Sequence, residues 1–267
     1  MHCTNCGHQS QNGASFCGQC GNDFNSLAIP RPITDSEGST GPRLVPWRGG
    51  QVALGIITVV CVFLLLLAVI VPAVGIDNLA AVTFLTSLVL GLVILSAVAL
   101  IGLLPYRVWL SSLGIAPLGV PSVKVALMTV GVLVLSLGST ALYSALVRLS
   151  GFEILEPPEI PQGIVLPGAG AVFTFIALVL WTPFTEEVFF RGFVLAGLLS
   201  RLGGVGAMIV SALIFSAFHI APGVLIPIFI TGLLLAWLYR RTGSLWPSIC
   251  AHAGQNGIAL AVTILEL

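Results

Sequence analysis

The stretch AGAVFTFIALVLWTPFTEEVFFR, from Ala169 to Arg191, decides how this chain is read. From Ala169 to Pro183 it carries no charge, and then Glu186, Glu187 and Arg191 fall within six positions. A helix needs about 20 mainly apolar residues to cross the hydrocarbon core of a bilayer. Ionisable groups inside such a run are expensive unless paired, so they mark chemistry rather than solvation. The stretch predicts a membrane helix with a reactive site at its charged end.

The rest of the chain has the same character. It is 57% hydrophobic and only 7% charged, with a mean hydropathy of +1.08, far above a soluble domain. The predicted fold is an all-α polytopic membrane protein of about seven transmembrane helices, within a range of six to eight. Candidate spans are 51–72, 79–104, 123–149, 169–200, 205–220, 223–239 and 245–265. The span 169–200 is too long for one straight crossing and is expected to tilt, to bend near Pro183 or to split. Gly203, Gly204 and Gly206 are expected to serve close helix packing. Arg31, Arg43, Arg48, Arg107, Lys124, Arg201, Arg240 and Arg241 fall at alternate span ends, with Arg191 assigned to the same side. Asp77, Glu153, Glu156, Glu159 and Glu266 fall at the others, and Arg148 is the one basic residue on the acidic side. The Lys/Arg bias orients the chain with its N-terminus cytosolic. The polar opening residues predict no secretory signal. Net charge is zero, so no nucleic-acid partner is implied.

Residues 1–24 are a different kind of sequence. Cys3 and Cys6, then Cys17 and Cys20, form two Cys-x-x-Cys pairs, each followed by a glycine, Gly7 and Gly21. Two such knuckles supply four thiolates in a tetrahedron, which suits a structural Zn²⁺. Disulfides are rare on the cytosolic side. His2 and His8 are spare donors and are not chosen. The module resembles the short zinc ribbons at the ends of many bacterial proteins. It contains no Lys or Arg, so docking of a protein partner is the expected role rather than nucleic-acid binding. Residues 25–50, rich in Pro and Gly, read as a disordered linker, and 51–267 as the transmembrane domain. Cys61 reads as a small buried hydrophobe and Cys250 as structural.

The polar residues of the last spans are few: Glu186, Glu187, Arg191, His219, His252 and Asn256. Glu187 and Arg191 are four apart and share a helix face, which suits an ion pair. Glu186 lies about 100° round the helix and points elsewhere, free to act as a general base. His252 and Asn256 are also four apart and present an imidazole and an amide on one face, fit to hold an oxyanion.

Glu-Glu-x-x-x-Arg, then Phe-x-x-x-His from Phe215 to His219, then His-x-x-x-Asn resembles the CPBP intramembrane protease family, over about residues 123–265. That family takes in type II CAAX prenyl endopeptidases and bacteriocin-processing or abortive-infection proteins. The resemblance implies that Glu186 with His219 activates a water, that His252 and Asn256 hold the oxyanion, and that Glu187 and Arg191 support them. It implies a peptide or protein substrate, a lipid environment and a plasma membrane of bacterial type. A catalytic metal on Glu186, His219 and His252 is the competing mechanism. The absence of His-Glu-x-x-His and the presence of Asn256 favour the metal-free glutamate mechanism. The alternative functions are a non-catalytic scaffold or bacteriocin-immunity protein docking through the ribbon, and a proton-coupled transporter. The last is disfavoured because no internal repeat is visible.

Overall fold

The computed structural model describes Gln9, residues 44–118 and residues 122–265. The ribbon of residues 1–24 with Cys3, Cys6, Cys17 and Cys20 lies outside the described residues, as do Arg31, Arg43 and Glu266. Among the described residues the fold is helical with no strand, and six segments are long and apolar enough to cross a membrane. They are α1 (Gly49–Val74), α2 (Leu79–Leu103), α3 (Ser122–Ser150), α4 (Gly168–Ala217), α5 (Pro222–Thr242) and α6 (Trp246–Leu265).

Local chemistry sets their ends. Asn78 caps α2 by accepting from the Ala81 amide at 3.3 Å. Pro222 opens α5, where its missing N–H is no loss, and Gly243, at φ 65°, closes it in the left-handed conformation. The 50 residues of α4 would extend about 75 Å if straight, over twice a bilayer core. The helix is broken at Gly203, with φ 65° and ψ 178°, and its second arm, 204–217, returns along the first, 168–202. The Ser211 hydroxyl seals the hairpin by donating to Phe190 O at 2.8 Å. The two spans expected at 169–200 and 205–220 are therefore arms of one hairpin. Gly203 supplies its turn, whereas the expectation for this glycine was helix packing.

Pro183 does not interrupt α4. The preceding turns, Ile176–Trp181, are π-helical, and Thr182 Oγ1 donates to Ala177 O at 2.9 Å. Wider turns take up the missing hydrogen bond of a proline. A second π segment, Val188–Leu195, follows the glutamates directly.

The interior is aromatic around the first arm of α4: Phe189, Phe190, Phe193 and Phe215 are buried together with Trp47 and Tyr239. Trp47 belongs to the segment assigned above to the linker. It is fully buried, stacks on Phe193 at 5.6 Å and donates its indole N–H to Phe193 O at 2.9 Å, so residues 44–50 are part of the membrane domain. Cys61 was expected inside but is exposed, as is Cys250. On an outward face of a membrane helix a small apolar side chain meets lipid and needs no core.

The alternating helices gather Arg48, Arg107, Lys124, Arg201, Arg240 and Arg241 at one end and Asp77, Glu153, Glu156 and Glu159 at the other. Arg148, the exception, pairs with Glu156 at 3.0 Å. The loop after α3 lies against the start of α5: a Cβ at Gly223 would fall on the Glu156 carbonyl.

Candidate active site

Two helices and the turn after one of them supply the polar groups. Glu186 and Glu187 come from mid-α4, between its two π segments, and Arg191 follows one turn later. His252 and Asn256 come from α6, and His219 lies in the turn just beyond the second arm of α4. Single π turns recur at functional sites because they re-aim neighbouring side chains.

Glu187 and Arg191 are both fully buried, and Arg191 Nη1 donates to Glu187 Oε1 at 2.7 Å. The guanidinium is held further by Gly232 O, which accepts from Nη2 at 3.2 Å, and by the Phe215 ring, whose centroid lies 4.5 Å from Cζ. Gly232 packs closely here, since a Cβ would meet Phe215 and Ala212 at 3.1 Å. Glu187 Oε2 and Arg191 Nε have no hydrogen-bond partner among the described residues.

Glu187 is not occupied by Arg191 alone. Its Oε1 also accepts from His252 Nδ1 at 3.0 Å. A carboxylate can only accept, so the Nδ1 proton points at Glu187, and in the neutral tautomer with that proton Nε2 is an acceptor. Nε2 lies 3.7 Å from Glu186 Oε2. The two carboxylates thus converge on opposite nitrogens of one imidazole, whereas helix phase alone suggested that they diverge. Helix phase is measured about the α4 axis, but His252 approaches from α6 and spans the angle between them. Glu186 keeps a small opening, with 12% of its side chain exposed, against none for Glu187.

His219 stands apart from this trio. Its Nδ1 donates to Phe215 O at 3.1 Å, and its ring meets the Phe215 ring edge-on at 5.1 Å. The same phenyl ring lies 5.7 Å from the His252 ring. Phe215 therefore separates the two histidines, and His219 does not reach Glu186 as a direct partner among the described residues. Asn256 Nδ2 donates to Leu178 O at 2.9 Å, in the first π segment of α4. An amide carries two N–H donors, so this bond orients Asn256 and leaves one donor available.

Among the described residues no three His, Cys, Asp or Glu side chains are gathered closely enough to hold a metal ion. The ligand set Glu186, His219 and His252 is thus not assembled here. The sequence reading missed Gly232 and Leu178, which act through backbone carbonyls and have no side-chain signature. It also missed a buried polar group beside the site, in which Ser136 Oγ lies 2.6 Å from Thr231 Oγ1 and 2.8 Å from Gln255 Oε1.

Residues 168–258 match the family model described as type II CAAX prenyl endopeptidase Rce1-like. The matched segment is about a third of the chain, runs from the start of α4 into α6, and contains every polar residue of the site. No curated protein and no solved structure matches the chain. All three motifs lie inside this Rce1-like segment, and the match supports their CPBP resemblance and a CAAX-type membrane protease domain there, in an integral membrane protein. The cysteine module lies outside the match.

Proposed function

We propose that this Rce1-like domain hydrolyses a peptide bond at the membrane with a water activated by Glu186. The carrying observation is that His252 is fixed through Nδ1 by Glu187 and faces Glu186 with Nε2 at 3.7 Å. Both groups can hydrogen-bond one water across that gap. The water oxygen attacks the carbonyl carbon while its proton passes to Glu186. The C–N bond then breaks, and the proton leaves with the amine. Asn256 offers its second N–H to the oxyanion, oriented by Leu178 O. His219, with Nδ1–H committed to Phe215 O, has an acceptor Nε2 and suits holding a water or substrate N–H better than holding an oxyanion. Glu187 and Arg191 are positioning residues: they fix the tautomer and the ring plane of His252.

Full-length protein in nanodiscs, offered a library of membrane-anchored peptides read by mass spectrometry, tests this reading. Glu186→Gln is expected to insert normally and to lose about 10²–10⁴-fold in cleavage rate, the usual worth of a general base. Wild-type cleavage by both Glu186→Gln and His219→Ala would refute the mechanism. Full biological activity of Glu186→Gln in cells would favour the scaffold or immunity reading. The four ribbon cysteines are proposed to bind one structural zinc that serves partner docking and not cleavage. Metal analysis of Cys3→Ser alongside its cleavage rate separates the two roles.

A further inference from the structure

An apolar groove of about 560 Å³ opens between α3, the second arm of α4 and α5, away from the glutamates. Its walls are Met128, Val132 and Leu135 from α3, Val205, Met208 and Ile209 from α4, and Leu234 and Trp237 from α5. Gly131 also lines it, and a Cβ there would meet nothing within 4 Å. On the outside of a membrane bundle a dry groove of this kind takes a hydrocarbon chain, not water.

The polar end of the groove identifies the chain's owner. Two of the walls carry basic residues about one helical turn beyond the groove, Lys124 before Met128 and Arg240 and Arg241 after Trp237, and Arg201 lies at the same end, on the first arm of α4 just before the turn at Gly203. Lys124 and Met128, like Trp237 and Arg241, are four apart and share a helix face. Trp237 is partly exposed, as a residue at the headgroup level would be. No carboxylate stands at this end among the described residues. Arg240 in particular has no counter-charge among the described residues. It packs on Gly204, where any Cβ would collide with the guanidinium, and its Nη1 donates to Met208 Sδ at 3.4 Å on the groove wall. Its Nε has no hydrogen-bond partner among the described residues. A guanidinium held at the mouth of an apolar slot and flanked by three more cations fits a phosphate on an acyl chain.

We propose that this groove is a binding site for one anionic phospholipid, with an acyl chain along Met208, Leu234 and Trp237 and the headgroup phosphate on Arg240, Arg241 and Lys124. The site is separate from the peptidase centre and does not depend on its mechanism.

Native mass spectrometry of the full chain, released from nanodiscs holding phosphatidylglycerol and phosphatidylcholine in equal amounts, reads it out. The expected result is one phosphatidylglycerol retained in preference. Lys124→Gln and Arg241→Gln, both at exposed positions, should each lower the preference about fivefold. Gly131→Phe, which fills the groove without touching the basic residues, should abolish retention while leaving the helical circular dichroism unchanged. Equal retention of the two lipids by wild type, or undiminished retention by Gly131→Phe, would overturn the proposal. Loss with Gly131→Phe but no change in either charge variant would also overturn it, because the groove would then hold a chain without regard to its headgroup.

Discussion

The first three spans and the last three are held by different forces. In the most apolar 18-residue windows of α1, α2 and α3 only 11%, 22% and 17% of residues are buried, against 39%, 44% and 28% in α4, α5 and α6. Inside a bilayer there is no hydrophobic drive between helices, so association rests on close packing and on polar pairing. The N-terminal spans use packing. A Cβ at Gly55 or Gly102 would run into Phe193, and one at Gly91 into Trp181, so α1 and α2 are notched to receive aromatic rings from α4. The C-terminal spans use polarity: Glu187, Arg191 and His252 join α4 to α6, and Gly232 O ties in α5. The difference separates a lipid-facing sleeve from a polar core, and it states where chemistry can reside.

The sharpest test of that division is functional. Glu186→Gln should lower cleavage by about 10²–10⁴-fold with little change in thermal stability, since Glu186 approaches His252 at 3.7 Å and makes no direct hydrogen bond among the described residues. Leu65→Ala on α1, where the side chain is 70% exposed to the surroundings, should change neither by a measurable amount. A large loss of cleavage in the α1 variant would erase the distinction between the two regions.

Stability separates the regions next. Arg191→Leu leaves Glu187 as a buried carboxylate without its cation, held by His252 Nδ1–H alone, and should destabilise by about 3–5 kcal/mol, measured by denaturant unfolding in mixed micelles. Removing both charges with Glu187→Leu and Arg191→Met should restore much of that stability. It should not restore cleavage, because His252 Nδ1 then has no acceptor to hold its ring. Recovery of cleavage by the double variant would show that the pair serves only folding. In the sleeve, Gly91→Val forces a side chain against Trp181 and should cost about 1–3 kcal/mol by overpacking, with activity kept at permissive temperature.

The parts of this division that are local in sequence could be read from it. Runs of apolar residues gave the spans, and the four-residue spacing of Glu187 and Arg191 gave a pair on one face. Contacts across helices could not be read. Whether Glu186 and Glu187 converge or diverge depends on where α6 places His252, and no spacing within α4 contains that. Glycines were ambiguous for a related reason. Gly203 and Gly204 are neighbours, yet one forms a turn at φ 65° and the other makes room for Arg240. Trp47 sat in a Pro- and Gly-rich stretch whose composition suggested a linker, but the pocket beside Phe193 that receives its indole is 146 residues away. Composition reports averages, and a single buried aromatic overrides them.

The smallest effect tests whether the boundary between sleeve and core falls before α3 or after it. Most of α3 faces outward, yet Ser136 is buried and bonds to Thr231 on α5 and to Gln255 on α6. Hydrogen bonds between membrane helices are worth about 0.6 kcal/mol on average, because the unfolded chain in the membrane finds partners too. Ser136→Ala should therefore destabilise by about that amount. Gln255 keeps its contact to Thr231 Oγ1 at 3.5 Å, so the remaining polar atoms are not stranded. A double-mutant cycle of Ser136→Ala with Thr231→Val measures the coupling directly. A coupling near zero would assign α3 to the sleeve, held by shape alone. A coupling above about 1.5 kcal/mol, near the upper end known for such bonds, would make α3 a full member of the polar core. Gln255 directly precedes Asn256 on α6, so a tightly coupled Ser136 should also carry a small loss of cleavage, read as a lower kcat at unchanged KM.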